Sequence, residues 1–338
     1  MATTAIPRAF IWRRVHSLMG LWLVLFLMEH LLTNSQAALW LGDNGRGFVD
    51  MVNGIHNLPF LQVIEFTLLG IPLLVHLFWG VKYLLTGKFV AGRTDGSAPS
   101  MKTGRNRAYK FQRITSWILL IGLIGHVTKF RFIDYPDSVQ VADHTSYLIP
   151  VDVDNGLYTL AGRLNFTLYD SSAIAKMKSS FESNSVSRTL LEAANALHHT
   201  QFDPILGVVP EVYDPQKEII FSSAEKFKEE QQWITALENQ KLGPHQVLAV
   251  CKDFGTASLL SVRDTFKSPI YVGLYTLFVL CACFHAFNGL WTFLITWGWI
   301  LKMSAQRAWV AVTVSLMLLL LFLGLASIWG TYWINLRY

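Results

Sequence analysis

A chain of 338 residues that is 52% hydrophobic and only 15% charged, with mean hydropathy +0.35, is too apolar for an ordinary soluble domain, in which about a quarter of residues are charged. That balance places it among polytopic membrane proteins. The net charge of +5 does not point to nucleic acid, because the basic residues sit in short loops beside apolar segments, where membrane topology needs them.

The first apolar stretch, Phe10 to Thr33, opens on Arg13, Arg14 and His16 and is interrupted near its far end by Glu29 and His30. It is too long for a signal peptide, holds two polar residues and is followed by further spans, so it reads as a retained helix. A histidine at that depth faces protein, water or a metal, because lipid would leave its ring nitrogens unpaired. Five segments qualify as spans: about 15–38, 60–86, 111–133, 269–299 and 306–332.

The first connection, Asn34 to Pro59, is rich in Gly and Asn and carries one arginine, Arg46. The second carries Lys88, Arg93, Lys102, Arg105, Arg107 and Lys110, and the short fourth carries Lys302 and Arg307. With Arg8, Arg13 and Arg14 at the start, the positive residues fall on alternate sides of the membrane. The N-terminus and the second and fourth connections are then cytoplasmic, and the C-terminus is external.

The organisation expected is spans one to three in 1–133, an external insertion in 134–268 and spans four and five in 269–338. The insertion is the size of a small domain. It opens with strand-like alternation in VQVADHTSYLIPVDV and GLYTLAGRLNFTLY, and helical patterns follow in SSAIAKMKSSFESNSVSRTLLEAANALHH and SAEKFKEEQQWITALENQ, an α+β composition. His198, His199 and His245 read as ordinary histidines, since adjacent residues on a helix point in different directions. Cys281 and Cys283 lie in an apolar segment and Cys251 in a polar one, so neither a disulfide framework nor a metal site is expected of them.

Each of the first four spans carries one histidine deep in its apolar run: His30, His76, His126 and His285. Counted from Val15, Leu61, Phe111 and Ile270, where the chain enters the membrane, each lies fifteen residues in, or roughly 22 Å along a helix. Spans one and three enter from the cytoplasm, so His30 and His126 reach the outer half of the bilayer core. Spans two and four enter from outside, so His76 and His285 reach the inner half. Two level pairs of histidines stacked across the membrane are the donor set for two bis-histidine haems b, since neutral imidazole is a good axial ligand and helix bundles build cofactor sites from facing side chains. Gly80, Gly125 and Gly289 beside the ligands suggest backbone clearance for a macrocycle. Arg14, His16, Lys82 and Arg113 are candidates to hold propionates or a quinone headgroup near the inner pair, and Lys129 and Arg131 near the outer one. Two acids, Glu65 and Glu29, lie toward the outer pair and are candidates for quinone protonation. His16 and His56 lie too shallow to be ligands.

The segments RRVHSLMGLWLVLFLMEHLLTN, LPFLQVIEFTLLGIPLLVHLFWGVKY, YKFQRITSWILLIGLIGHV and FHAFNGLWTFLITWG resemble the five-helix, dihaem cytochrome b anchor subunits of succinate dehydrogenases and fumarate reductases, of the Bacillus-like succinate:menaquinone type. The resemblance runs from the N-terminus to about Phe132 and resumes near Ala257. It implies an all-α five-helix bundle in which His76 and His285 ligate the inner haem and His30 and His126 the outer. It implies a flavoprotein and an iron–sulfur subunit as cytoplasmic partners, and electron transfer through both haems to menaquinone in a bacterial cytoplasmic membrane. It implies no dicarboxylate site in this subunit. The insertion, about 140 to 255, has no counterpart in the pattern. Some dihaem fumarate reductases carry a membrane glutamate two positions before the last ligand; here that position is Cys283. A cytochrome b of a hydrogenase or formate dehydrogenase is the nearest alternative, although these lack the R-R-x-H-S and F-H-x-F-N-G-L-W contexts. A haem-free transporter is a third reading, one that calls for discontinuous helices and internal repeats.

Overall fold

The computed structural model describes residues 6–39, 45–86, 104–141, 143–183, 189, 192–194, 202–203, 207–208 and 215–337. It divides into two units, Met1–Tyr135 with Val262–Tyr338, and Pro136–Ser261.

In the first unit, five helices are long and apolar enough to cross a membrane: Arg8–Ser35, Leu61–Thr86, Arg107–Ile133, Pro269–Thr296 and Met303–Arg337, here spans one to five. The 28 residues of span one extend about 42 Å at 1.5 Å per residue, more than a hydrocarbon core of about 30 Å requires. Span one starts earlier than its hydropathy suggests, because the Pro7 carbonyl accepts from the amides of Phe10 and Ile11 and the arginine-rich segment coils on it. Span four begins with Pro269 in its first turn, where the missing N–H costs nothing. It ends at Gly298, whose φ of +78° is the left-handed conformation that closes a helix C-terminus.

Span four is the hub: it packs against spans one, three and five, and span one packs in turn against spans two and five. A side chain at Gly324 of span five would put its Cβ 2.7 Å from Val279 Cγ1 and 3.3 Å from Leu31 Cδ2. The missing side chain lets three backbones approach, as helices do where apolar solvent gives them little other reason to associate. Large apolar side chains such as Phe66, Leu74, Phe78, Ile121, Ile124 and Leu318 stand exposed on the outside, as a lipid-facing surface requires.

Three spans change pitch at the same end of the bundle, the one remote from Arg8. Span two is π-helical over Glu65–Gly70, span three over Thr128–Ile133 and span five over Ala326–Gly330. The Trp22 indole donates to the Leu68 carbonyl within the first of these. The first connection, read above only as a Gly- and Asn-rich link, contains the helix Arg46–His56, which buries Phe48 and Val49.

The second unit holds a four-stranded antiparallel sheet. Strands β1 (Asp137–Val141), β2 (His144–Asp152), β3 (Thr167–Tyr169) and β6 (Gln246–Cys251) are ordered β1-β2-β6-β3. A two-residue pair, β4 (Phe202–Asp203) and β5 (Gly207–Val208), forms a second small sheet. Successive side chains leave a strand on opposite faces, and both faces are covered. Ile149, Val151, Val247 and Ala249 pack with Leu157 and Leu260, whereas Leu148 and Leu248 pack with Ile174 and Leu237. The helices supplying these layers are Asn155–Leu164, Ser171–Glu182, Pro215–Glu238 and Phe254–Thr265.

One expectation is corrected here. GLYTLAGRLNFTLY reads as alternating strand, but residues Asn155–Leu164 are helical and only Thr167–Tyr169 is extended. The Asp154 side chain caps the helix by accepting from the Leu157 amide at 2.9 Å, and Asn165 ends it in the left-handed region at φ 56°. Leu157, Leu160, Ala161 and Leu164 then fall on one face against the sheet, a helical spacing that the tyrosine and threonine between them had disguised. Leu157 is fully buried, so Leu157→Ala is expected to cost about 2–5 kcal/mol. Faster amide hydrogen exchange in β2 and β6 would report it.

Candidate functional site

The ring of His30 in span one lies 5.8 Å, centroid to centroid, from that of His126 in span three, with the planes at 87°. The ring of His76 in span two lies 6.3 Å from that of His285 in span four, with the planes at 84°. Two imidazoles that each hold one metal ion at about 2.0 Å, with roughly 1 Å more from nitrogen to ring centre, stand about 6 Å apart. Both separations therefore suit a single metal ion held between two rings.

Each ring also meets a neighbour through Nδ1. His76 Nδ1 lies 3.2 Å from the His16 carbonyl oxygen, and His285 Nδ1 lies 3.4 Å from Ser116 Oγ. His126 Nδ1 lies 3.3 Å from the Tyr275 hydroxyl, and His30 Nδ1 lies 3.5 Å from Asn34 Nδ2. At His76, His285 and His126 the neighbour is an oxygen that can accept the Nδ1 proton, which sets tautomer and orientation and leaves Nε2 for a metal, whereas Asn34 Nδ2 beside His30 can only donate. Gln112 reinforces the His285 site: its amide nitrogen donates to the His285 carbonyl at 3.1 Å, and its amide oxygen accepts from Asn288 at 2.8 Å.

Two glycines beyond those the sequence suggests also stand close to the pairs. A Cβ at Gly20 would sit 3.0 Å from His76 Cε1, and one at Gly122 would sit 2.5 Å from a ring carbon of Phe278, which itself packs on His126. At Gly125 nothing stands within 4 Å, whereas Gly80 and Gly289 border His16 and Gln112. Gly20→Val is expected to displace the His76 ring; if each pair holds a haem, it would weaken retention of one about 10–100-fold while sparing the other. Haem quantitation after dialysis against apomyoglobin is the measurement.

His16 does more than guard the mouth of its span. Its ring stacks on His76 at 4.1 Å and 12°, so His76 is held by the backbone of His16 and by its side chain. Of the other candidates at this end, Arg14 donates to the Thr296 carbonyl at 3.2 Å and covers the Phe10 ring at 3.6 Å. Lys82 lies over Trp79 at 4.3 Å, and Trp79 stacks on Trp12. Arg113 donates to the Leu84 carbonyl at 3.2 Å. They form separate contacts rather than one cluster.

At the opposite end, Glu65 pairs with Arg131 at 3.3 Å and Lys129 pairs with Asp134. Glu29 accepts from Thr33 at 2.8 Å. His56 comes within electrostatic reach of this group: burial holds its imidazole below the ordinary value, with Glu65 pulling it up and Arg131 pushing it down. Cys251, Cys281 and Cys283 are buried free thiols. Burial, then the Asp253 carboxylate, push Cys251 up. Among the described residues no group of three or more His, Cys, Asp or Glu gathers as a metal site, and His245 is exposed. Lys88, Arg93, Lys102, His198 and His199 lie outside the described residues.

Ser116, Tyr275, Asn34 and Gly20 escaped the sequence reading. A tyrosine in an apolar span was the legible signal among them, because its hydroxyl needs a partner.

The chain has a curated relative. It is 33% identical over 125 residues to the succinate dehydrogenase cytochrome b558 subunit of Bacillus subtilis (strain 168), a match covering 37% of this chain and 56% of that protein. The chain thus spans about half the length of the curated relative it matches. No protein-family model and no solved structure matches it.

Proposed function

We propose that the chain is the membrane-anchor, electron-carrying subunit of a succinate:menaquinone oxidoreductase in a bacterial cytoplasmic membrane. The observation that carries this reading is the pairing of four intramembrane histidines, 5.8 Å and 6.3 Å apart, three of them with an oxygen at Nδ1 that can accept the ring proton. The likeness to a cytochrome subunit of succinate dehydrogenase supports it. His76 and His285 hold one haem b, and His30 and His126 the other. A haem held by two imidazoles would supply one-electron transfer rather than oxygen binding.

The remaining residues position and connect. His16 and Ser116 hold the rings of the pair nearer the N-terminal end, which faces the cytoplasm, and Tyr275 holds the ring of His126 in the outer pair. A flavoprotein subunit and an iron–sulfur subunit dock on the cytoplasmic end. Menaquinone reacts at the external end, where Glu65 exchanges its protons and Glu29 is a second candidate.

The test is a reduced-minus-oxidised spectrum with haem quantitation on the purified complex. Two haems b per chain, with flavin and iron–sulfur co-purifying, are expected. Well-folded protein without haem overturns the reading, and one haem per chain overturns the assignment of two pairs.

A further inference from the structure

The four ring anchors are chemically unlike. The His16 carbonyl can only accept, and Asn34 commits its amide nitrogen to the His30 carbonyl at 2.8 Å. Ser116 gives its own proton to the Gln112 carbonyl at 2.7 Å, which leaves its oxygen free to accept. Tyr275 differs from all three. Its ring is packed among Phe266, Phe130 and Phe278, with centroids 5.5, 6.1 and 6.1 Å away, and among the described residues the hydroxyl has one hydrogen-bonding neighbour, His126 Nδ1.

A phenol buried in an apolar span needs a partner. A tyrosine with only a packing role would meet that need by donating to the ring nitrogen. A ring that gives Nε2 to a metal keeps its proton on Nδ1, so the phenol oxygen is then the acceptor. An acceptor at Nδ1 makes the imidazole a stronger donor to the metal, which favours the ferric state.

We propose that Tyr275 is a positioning residue that accepts the Nδ1 proton of His126 and thereby lowers the reduction potential of the iron held by His30 and His126. This rests on the haem reading above.

The test is a redox titration of both haems in the intact complex carrying Tyr275→Phe, which keeps the ring and removes one oxygen. Two haems are retained, and one potential rises while the other stays put. The ferric-to-ferrous ratio at fixed potential falls about three- to tenfold, tenfold being about 59 mV for a one-electron couple. Tyr271→Phe, one turn away and without a histidine partner among the described residues, is the control and leaves both potentials in place. Should Tyr275→Phe fail to assemble, a fluorinated tyrosine at position 275 keeps ring and hydroxyl but weakens the oxygen as acceptor, and a smaller upward shift is expected. Unmoved potentials in both substituted proteins, or an equal shift in the Tyr271 control, overturn the proposal. Wild-type protein without haem would instead overturn the function on which it rests.

Discussion

His76→Ala is expected to halve the haem content of the purified complex, from two haems b per chain to one. The substitution removes one of two imidazoles that stand 6.3 Å apart and leaves His285 without its counterpart. His16 is the nearest replacement, but its ring lies flat against that of His76 at 4.1 Å, so it packs on the face of that ring and does not occupy its place. The His30–His126 pair shares no residue with this site and keeps its haem. His30→Ala is the mirror experiment and leaves the other haem. Pyridine haemochrome quantitation with redox titration distinguishes the two, because each substitution removes a different potential. Retention of both haems in His76→Ala would sink the pairing.

Glu65→Gln is expected to slow menaquinone reduction by about 100-fold or more, within the range that a positioned proton-transfer group supplies, while haem content stays at two. Stability offers little competing explanation. The Glu65–Arg131 pair is 39% and 50% exposed, and exposed ion pairs contribute about 0–1 kcal/mol. Arg131→Gln, which leaves the carboxylate in place, is expected to have a smaller effect. The rate of haem reoxidation by a menaquinone analogue is the readout. An unchanged rate would reduce Glu65 to a charge partner of Arg131.

The parts of this molecule legible in its sequence are those that depend on distance along the chain. Length and apolarity reveal five helices, because a bilayer sets a minimum span. Counting fifteen residues inward groups His30 with His126 and His76 with His285, because depth on a helix is proportional to residue number. What depends on neighbours from other spans was not legible. The anchoring of His285 by Ser116 and of His126 by Tyr275 requires knowing which spans touch. Gly20 looks like any glycine in a membrane helix until the His76 ring stands over it. In the inserted unit, Leu157 and its neighbours fit a strand and a helix equally over a few residues, and the Asp154 cap decided between them. Strand β6 was passed over because its apolar run has no alternation to read: both faces of its sheet are covered.

Glu65 and His76 are eleven positions apart, just over three whole turns of an ideal α-helix, so an unbroken helix would point the carboxylate and the imidazole along nearly the same line. The π segment at Glu65–Gly70 closes on the fifth residue rather than the fourth and sets the carboxylate back by about one residue of rotation, roughly 100°. It faces Arg131 on span three instead. Deleting one residue within Glu65–Gly70 would remove the wide turn yet keep about the same rotation between Glu65 and His76, whereas the same eleven residues wound as α-helix would swing Glu65 away from Arg131. The wide turn thus acts as a rotational offset between the carboxylate of Glu65 and the imidazole of His76.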